Sequence, residues 1–454
     1  MERTDSRSAP SSTRGRRTAA VCAATLTLAG LAAARVQGQA PAVPQIDIRD
    51  PHAERLAVPA CLPRAGDEAS RVACRTVTDV LRRDLRFEGL FRFVEPSLMD
   101  ALPAMDPESP NLADWQSVAA TILVVTRAQV TGGELAVDLK VLHVGSGQTM
   151  ASKRYTGRAD TPRIFAHQAS DEVTSLTQNR GVARTRIAFT SDRDATKEKR
   201  SKELYIVDYD GFNPRRVTVN RSLNILPAWS PDGRSLAYVS YRQGVPDVFL
   251  ASIFEGKSAN LTGGAGQSFA PSFSPDGKRI AYASTRSGNM EVWVANADGR
   301  GARKATSSPA ADTAPSWSPT GAEIAFTSDR TGSPQIYVMD SEGLNVRRLT
   351  NVGNWNDAAA WNPSREYAEI AYTARLEGGG FDIAVIDIAT RQVRQVTAGR
   401  GSCEYPSWAP SGRHLVFSCR RGQTWQITVA NRDGSMIETL GAGPGSNVQP
   451  DWGP

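Results

Sequence analysis

The groups best equipped for chemistry are few: four histidines (His52, His143, His167, His414) and five cysteines (Cys22, Cys61, Cys74, Cys403, Cys419). A serine hydrolase of the α/β type needs its nucleophile on a Gly-x-Ser-x-Gly elbow, a phosphate-binding enzyme a P-loop, and a zinc peptidase HExxH; none of these strings occurs. His167 has Ser170, Asp171 and Glu172 nearby, the pattern of a structural helix histidine beside acids. The cysteine spacings match no zinc pattern. Recurring Ser-Pro-Asp-Gly strings have the wrong spacing for a sialidase-type Asp box and are explained as turns. The expectation is a protein without catalytic residues, metal or cofactor, whose cysteines serve as cross-links.

Cross-links need an oxidising compartment, and the amino terminus offers a route to one. Arg14, Arg16 and Arg17 precede a small, apolar run from Thr18 to Ala34, then small residues around Gly38 and Ala40. This reads as a cleaved export signal over residues 1–38, which removes Cys22 and leaves an even four cysteines. The run is shorter than the ~20 strongly apolar residues of a membrane span. Of the net charge of +6, six arginines against Glu2 and Asp5 place +4 in this segment. The remainder has no basic field of the kind that nucleic acid requires.

The elements that position these groups come from a repeat. PAWSPDGRSLAYVS at Pro227 returns as PSFSPDGKRIAYAS, PSWSPTGAEIAFTS, the degraded AAWNPSREYAEIAYT and PSWAPSGRHLVFSC, with aromatics at Trp229, Phe273, Trp317, Trp361, Trp408 and Trp452. In each unit an apolar strand reaches the aromatic, the Pro-Asp-Gly turn reverses the chain, and three further short strands follow; this is a β-propeller blade. Ile187-Ala188-Phe189 matches a second strand with no first, and Gln449-Pro450-Asp451-Trp452 a first strand with no second. Joined, they make a sixth blade and close the ring. With 454 residues the chain exceeds one core, and the rest divides accordingly. An extended tail occupies 39–51, a small α/β (α+β) domain 52–180, and an all-β six-bladed propeller 181–454. Two amphipathic helices mark the small domain: Ala73, Val77, Val80, Leu81 and Leu85 share one face, and Phe165, Ala169, Val173 and Leu176 another. Strand-like runs at 56–58, 91–94, 121–126 and 135–142 supply its sheet.

This order of parts resembles the TolB family of the Tol-Pal envelope system. The resemblance is most specific over Ala166-His167-Gln168-Ala169-Ser170-Asp171-Glu172-Val173, Leu176-Thr177, Gly181 and Arg184-Thr185-Arg186-Ile187-Ala188-Phe189, with Gly89-Leu90-Phe91 similar too. It implies a monomeric, non-enzymatic periplasmic adaptor. One propeller mouth would bind the lipoprotein Pal, and the amino-terminal tail would bind the carboxyl-terminal domain of TolA, supporting outer-membrane integrity and constriction during division. An exported propeller enzyme or lectin acting on peptides or glycans is the alternative from another class. By the resemblance, Pal contacts map to Gln267, Ala270 and Thr313.

Strand direction defines the same mouth. The second strand of a blade leaves the Pro-Asp-Gly turn and ends at an arginine, among them Arg242, Arg286 and Arg330, on the face where first strands begin. Phe269, Asp312, Trp355, Asp357 and Glu404 fall on that rim, with Phe269 and Trp355 expected as apolar anchors. In the tail, the alternation Ile46-Asp47-Ile48 between prolines offers a strand that could add to a partner's sheet edge. Pairing Trp408 with His414 across Ala409–Arg413, and counting five positions along each strand, sets Cys403 opposite Cys419. Cys61 and Cys74 are the other pair.

Overall fold

The computed structural model describes residues 54–376, 379–399 and 401–454. The expected signal and the tail with Ile46, Asp47 and Ile48 lie outside the described residues. In the small domain, β1 (Arg55–Ala57), β2 (Leu62–Pro63), α1 (Glu68–Glu88), β3 (Arg92–Phe93), α2 (Pro96–Asp100), α3 (Leu112–Ser117), β4 (Ile122–Thr131), β5 (Glu134–His143), β6 (Thr149–Arg158) and α4 (Pro162–Ser175) follow in order. The sheet runs β3-β1-β4-β5-β6, with β2 also on β4. α1 starts where the Asp67 carboxylate accepts from the Ser70 amide at 2.8 Å and stops at Gly89, whose φ of 67° a glycine adopts without strain. Its face of Leu81 and Leu85 packs with Ala169 and Val173 of α4 over Ile122, Val124 and Leu139. The edge strand β6 was not foreseen in the sequence: its Ser152, Lys153 and Arg154 are exposed, so it carries no apolar period. Cys61 and Cys74 are bonded, Cα atoms 5.0 Å apart, tying the chain before β2 to α1.

Beyond α4 come β7 (Arg186–Ser191), β8 (Glu203–Asp208) and β9 (Arg215–Arg216), and then five complete four-stranded sheets. The strand Asn447–Gly453 pairs antiparallel with β7, Trp452 opposite Ile187, and so completes the first blade from the carboxyl-terminal side. The ring is six-bladed and has no open sheet edge between first and last blades. Each Ser-Pro-Asp-Gly hairpin is locked locally: Asp232 accepts from Ser230 Oγ at 2.6 Å and from the Arg234 amide at 3.0 Å.

The small domain sits on the hairpin side of the ring, against blades one and six. Tyr209 donates its hydroxyl to Asp84 of α1 at 2.5 Å, and Arg163 of α4 pairs with the buried Asp210. From blade six, Arg413 pairs with Glu88, and His414 donates Nε2–H to the Phe87 carbonyl at 2.8 Å while stacking on the Phe87 ring at 4.4 Å. Burial, reinforced by Arg413, drives the His414 pKa down to about 3, so this imidazole is neutral.

Candidate partner-binding mouth

The small domain takes the hairpin side at blades one and six, and the opposite mouth carries the rim residues picked out in the sequence. Its geometry begins with the first strands, Asn224–Trp229, Ser268–Phe273, Asp312–Trp317, Trp355–Trp361, Cys403–Trp408 and Asn447–Gly453. Every one has a register shift, for example between Phe269 and Ser272, where one extra residue stands against the second strand. At each shift a non-glycine residue takes positive φ: Leu226, Ala270, Ala314, Ala358, Tyr405 and Gln449, between 47° and 59°. Proline follows in five of the six. A β-bulge is where a strand tolerates a residue without an N–H. The Pro repeated inside an apolar strand is the sequence signal for this ring. The first strands surround a cavity of about 620 Å³ along the axis, with Phe269, Ala270, Thr313 and Asp357 in its wall and Arg180 at its small-domain end.

The rim arginines are stacked. Arg242 lies over Phe249 at 3.8 Å, Arg286 over Trp293 at 4.7 Å and Arg330 over Tyr337 at 4.8 Å, each ring coming from the third strand of the same blade. Arg330 also bonds both oxygens of Asp312, at 3.0 and 2.9 Å. Asp312 is fully buried, so its part in the mouth is to hold Arg330. Arg242 and Arg286 remain exposed, as does Gln267. Trp355 is 41% exposed and meets Phe381 edge-on at 6.3 Å; Val219, Val245 and Val352 are exposed in neighbouring connections. Asp357 and Glu404, half-buried on adjacent blades, form the acidic side, and burial together with Asp357 raises the Glu404 pKa. Arg242, Arg286 and Arg330 stand on blades two to four and these acids on blades five and six, whose second strands also end in arginines, at Arg375 and Arg421.

Deeper in the cavity Asp451 is half-buried in the wall, its carboxylate accepting from the Trp229 amide at 2.7 Å and from Ser407 Oγ at 2.8 Å. Burial pushes its pKa up to about 6. The corresponding position holds Ala228, Ser272, Ser316, Ala360 and Ser407 in the other blades.

Cys403 and Cys419 face one another and are bonded, Cα atoms 4.1 Å apart. Trp408, however, pairs with Leu415 and not with His414. The hairpin is one residue off the expected alignment, and the bulge at Tyr405 restores the register before the cysteines. As for a metal, Asp84, His167 and Asp210 place one ligating atom each within 4.8 Å of one another, but Tyr209 already occupies Asp84 and Arg163 occupies Asp210. Among the described residues no helix is long and apolar enough to cross a membrane.

Residues 173–454 match the TolB beta propeller domain and residues 44–150 the TolB amino-terminal domain. The Tol-Pal system protein TolB of Methylobacillus flagellatus is 48% identical over 381 residues, 84% of this chain and 86% of that protein. That of Desulfosudis oleivorans is 33% identical over 45% of this chain; the chain spans 47% of that relative's length in the match. The crystal structure of TolB from Acinetobacter baumannii superposes with a TM-score of 0.74 at 26% identity, covering 88% of this chain and 96% of that one. Two family domains in sequence, a six-bladed ring closed by its carboxyl-terminal strand and near full-length likeness to TolB proteins give one conclusion: the chain belongs to the TolB family, whose members are components of the Tol-Pal system.

Proposed function

We propose that this protein is a periplasmic adaptor of the Tol-Pal system, binding Pal at the propeller mouth and the carboxyl-terminal domain of TolA through its amino-terminal tail, in support of outer-membrane integrity during division. The observation that carries the reading is the apolar rim on the face away from the small domain, with Trp355 and Val352 exposed at blade five and Phe269 half-buried in the cavity wall at blade three. Scattered apolar residues are ordinary on a surface, whereas a group around a cavity mouth with flanking charges is the anatomy of an interface. Stacking fixes the arginines before a partner arrives, which lowers the ordering cost of association.

Titration calorimetry of Pal into the wild type and a Phe269→Ala, Trp355→Ala double variant tests the mouth. Loss of two anchors weakens binding by about 2 kcal/mol or more, roughly thirtyfold. Pal affinity equal to wild type in a folded double variant rejects the assignment. For the tail, deleting residues 39–48 abolishes TolA binding and leaves propeller melting unchanged; retained TolA binding rejects that part alone.

A further inference from the structure

The joint between the small domain and the propeller holds a buried charge cluster that mouth and tail leave unused. His167 on α4 places Nδ1 2.8 Å from Asp84 Oδ2 on α1, and Nε2 3.9 Å from Asp210 Oδ2 on the propeller turn after β8. Both carboxylates have fully buried side chains, and the histidine side chain is 7% exposed. Arg163 pairs with Asp210 and stacks over Phe212 at 3.6 Å, and Tyr209 donates to Asp84. Arg83 reaches the Asp210 carbonyl at 3.3 Å, while its other partner is the exposed Glu438 at 3.7 Å.

The charges decide the state of the imidazole. Asp84 and Asp210 bring two carboxylates into a buried space, where burial raises the Asp84 pKa against the pull of His167, and the Arg163 guanidinium answers Asp210. An imidazolium at His167 answers the other, so the cluster sums to zero without any ion. Deprotonation leaves one buried negative charge without a counterion, a costly arrangement that separating the domains and admitting water relieves.

We propose that His167 is a proton-operated latch: as an imidazolium it clamps Asp84 of the small domain to Asp210 of the propeller, and loss of its proton loosens the joint. Burial by itself would lower the histidine pKa, but the hydrogen bond it donates to Asp84 and the charges of Asp84 and Asp210 outweigh burial and the opposing charge of Arg163 and hold the group above its usual value. The sign follows from linkage. A group whose pKa is higher in the docked state contributes docking energy that is complete below its free pKa and is lost as pH rises through the docked one. The joint is therefore tight in mild acid and loose in alkali. Glu88, facing Arg413, the Val182 amide and, at longer range, Asp171, acts with the same sign, its pKa pushed up to about 7 by burial.

Hydrogen–deuterium exchange on the full chain from pH 6 to 9, corrected for intrinsic amide rates, reads the latch in peptides covering 80–88 and 205–212, with 279–284 inside blade three as the internal control. A Glu88→Gln background removes the neighbouring carboxyl. In that background, joint protection falls at least roughly fivefold as pH rises, the low end of ordinary coupling between sites, while the control peptide is unchanged. Adding His167→Gln makes joint protection low and independent of pH. A flat profile with His167 present, or an undiminished slope with Gln at 167, overturns the proposal. If the Gln variant does not fold, Asp84→Asn, which keeps the acceptor for Tyr209, carries the same test: the slope must shrink, and an unchanged slope overturns it.

Discussion

Replacing Asp451 by asparagine tests how the cavity wall is held together. Asp451 is half-buried in the cavity wall, and its carboxylate accepts from Trp229 of blade two and Ser407 of blade six, so it bridges both neighbours of its own blade. Asparagine has the same shape, keeps an acceptor for the Trp229 amide and turns an NH₂ toward Ser407 Oγ, so any change in stability comes from charge. Burial lifts the pKa from 3.8 to about 6, which at 1.36 kcal/mol per unit amounts to about 3 kcal/mol. The raised value means that the folded protein holds a proton that the unfolded chain releases. The stabilisation is complete below pH 3.8 and gone above about 6. Between pH 4.5 and 7.5 the two-state linkage expression gives about 2 kcal/mol of this change. Other carboxylates also titrate in the wild type, so the quantity to measure is the difference between variant and wild type. Urea unfolding at the two pH values should show the asparagine protein gaining about 2 kcal/mol relative to wild type on going from pH 4.5 to 7.5. A difference that does not move with pH would falsify the claim that an ionised Asp451 is a cost to this fold at neutral pH.

Further outcomes follow from other parts of the structure. Replacing Cys403 and Cys419 by serine together should lower unfolding free energy by about 3 kcal/mol, the chain-entropy value for a loop of this size; a reductant titration that leaves wild-type unfolding in urea unchanged would contradict it. Gly453→Ala puts a Cβ 2.3 Å from the Trp229 ring; the ring has to shift, at a cost of about 1–3 kcal/mol, and thermal melting equal to wild type would refute the packing there. Arg330→Ala leaves Asp312 buried without its cation and should destabilise by about 3–5 kcal/mol, whereas Arg242→Ala, removing a stacked but exposed side chain, should cost less than 1 kcal/mol. Comparable losses in the two would disprove the distinction between a structural and a presented arginine.

The ring and its closure were legible because a repeat states its own period, and because the half-units at Ile187 and Trp452 are complementary. Small-domain helices were legible from their apolar faces, and β6 was not, because an exposed edge strand buries too little to leave a pattern. The rim positions could be read from strand direction alone. Which of them are free could not: the fold brings Arg330 onto Asp312, and leaves Glu404, one position further along its strand, beside another acid. His167 was legible as a structural helix histidine beside acids, but its partners were not, because Asp84 and Asp210 lie 83 and 43 positions away, one of them in another domain.

Closure by the strand Asn447–Gly453 also sets a schedule. The partner of β7 is made only after blades two to six, some 260 residues later, so β7 waits with an unsatisfied edge for most of the chain's emergence. Contacts of such sequence separation form slowly, and an unpaired strand is an aggregation hazard while it waits. The Cys403–Cys419 bond falls in the blade immediately before closure, and once formed it fixes the neighbour against which the last strand packs. Assembly thus has a natural final step, the docking of this strand between β7 and blade six.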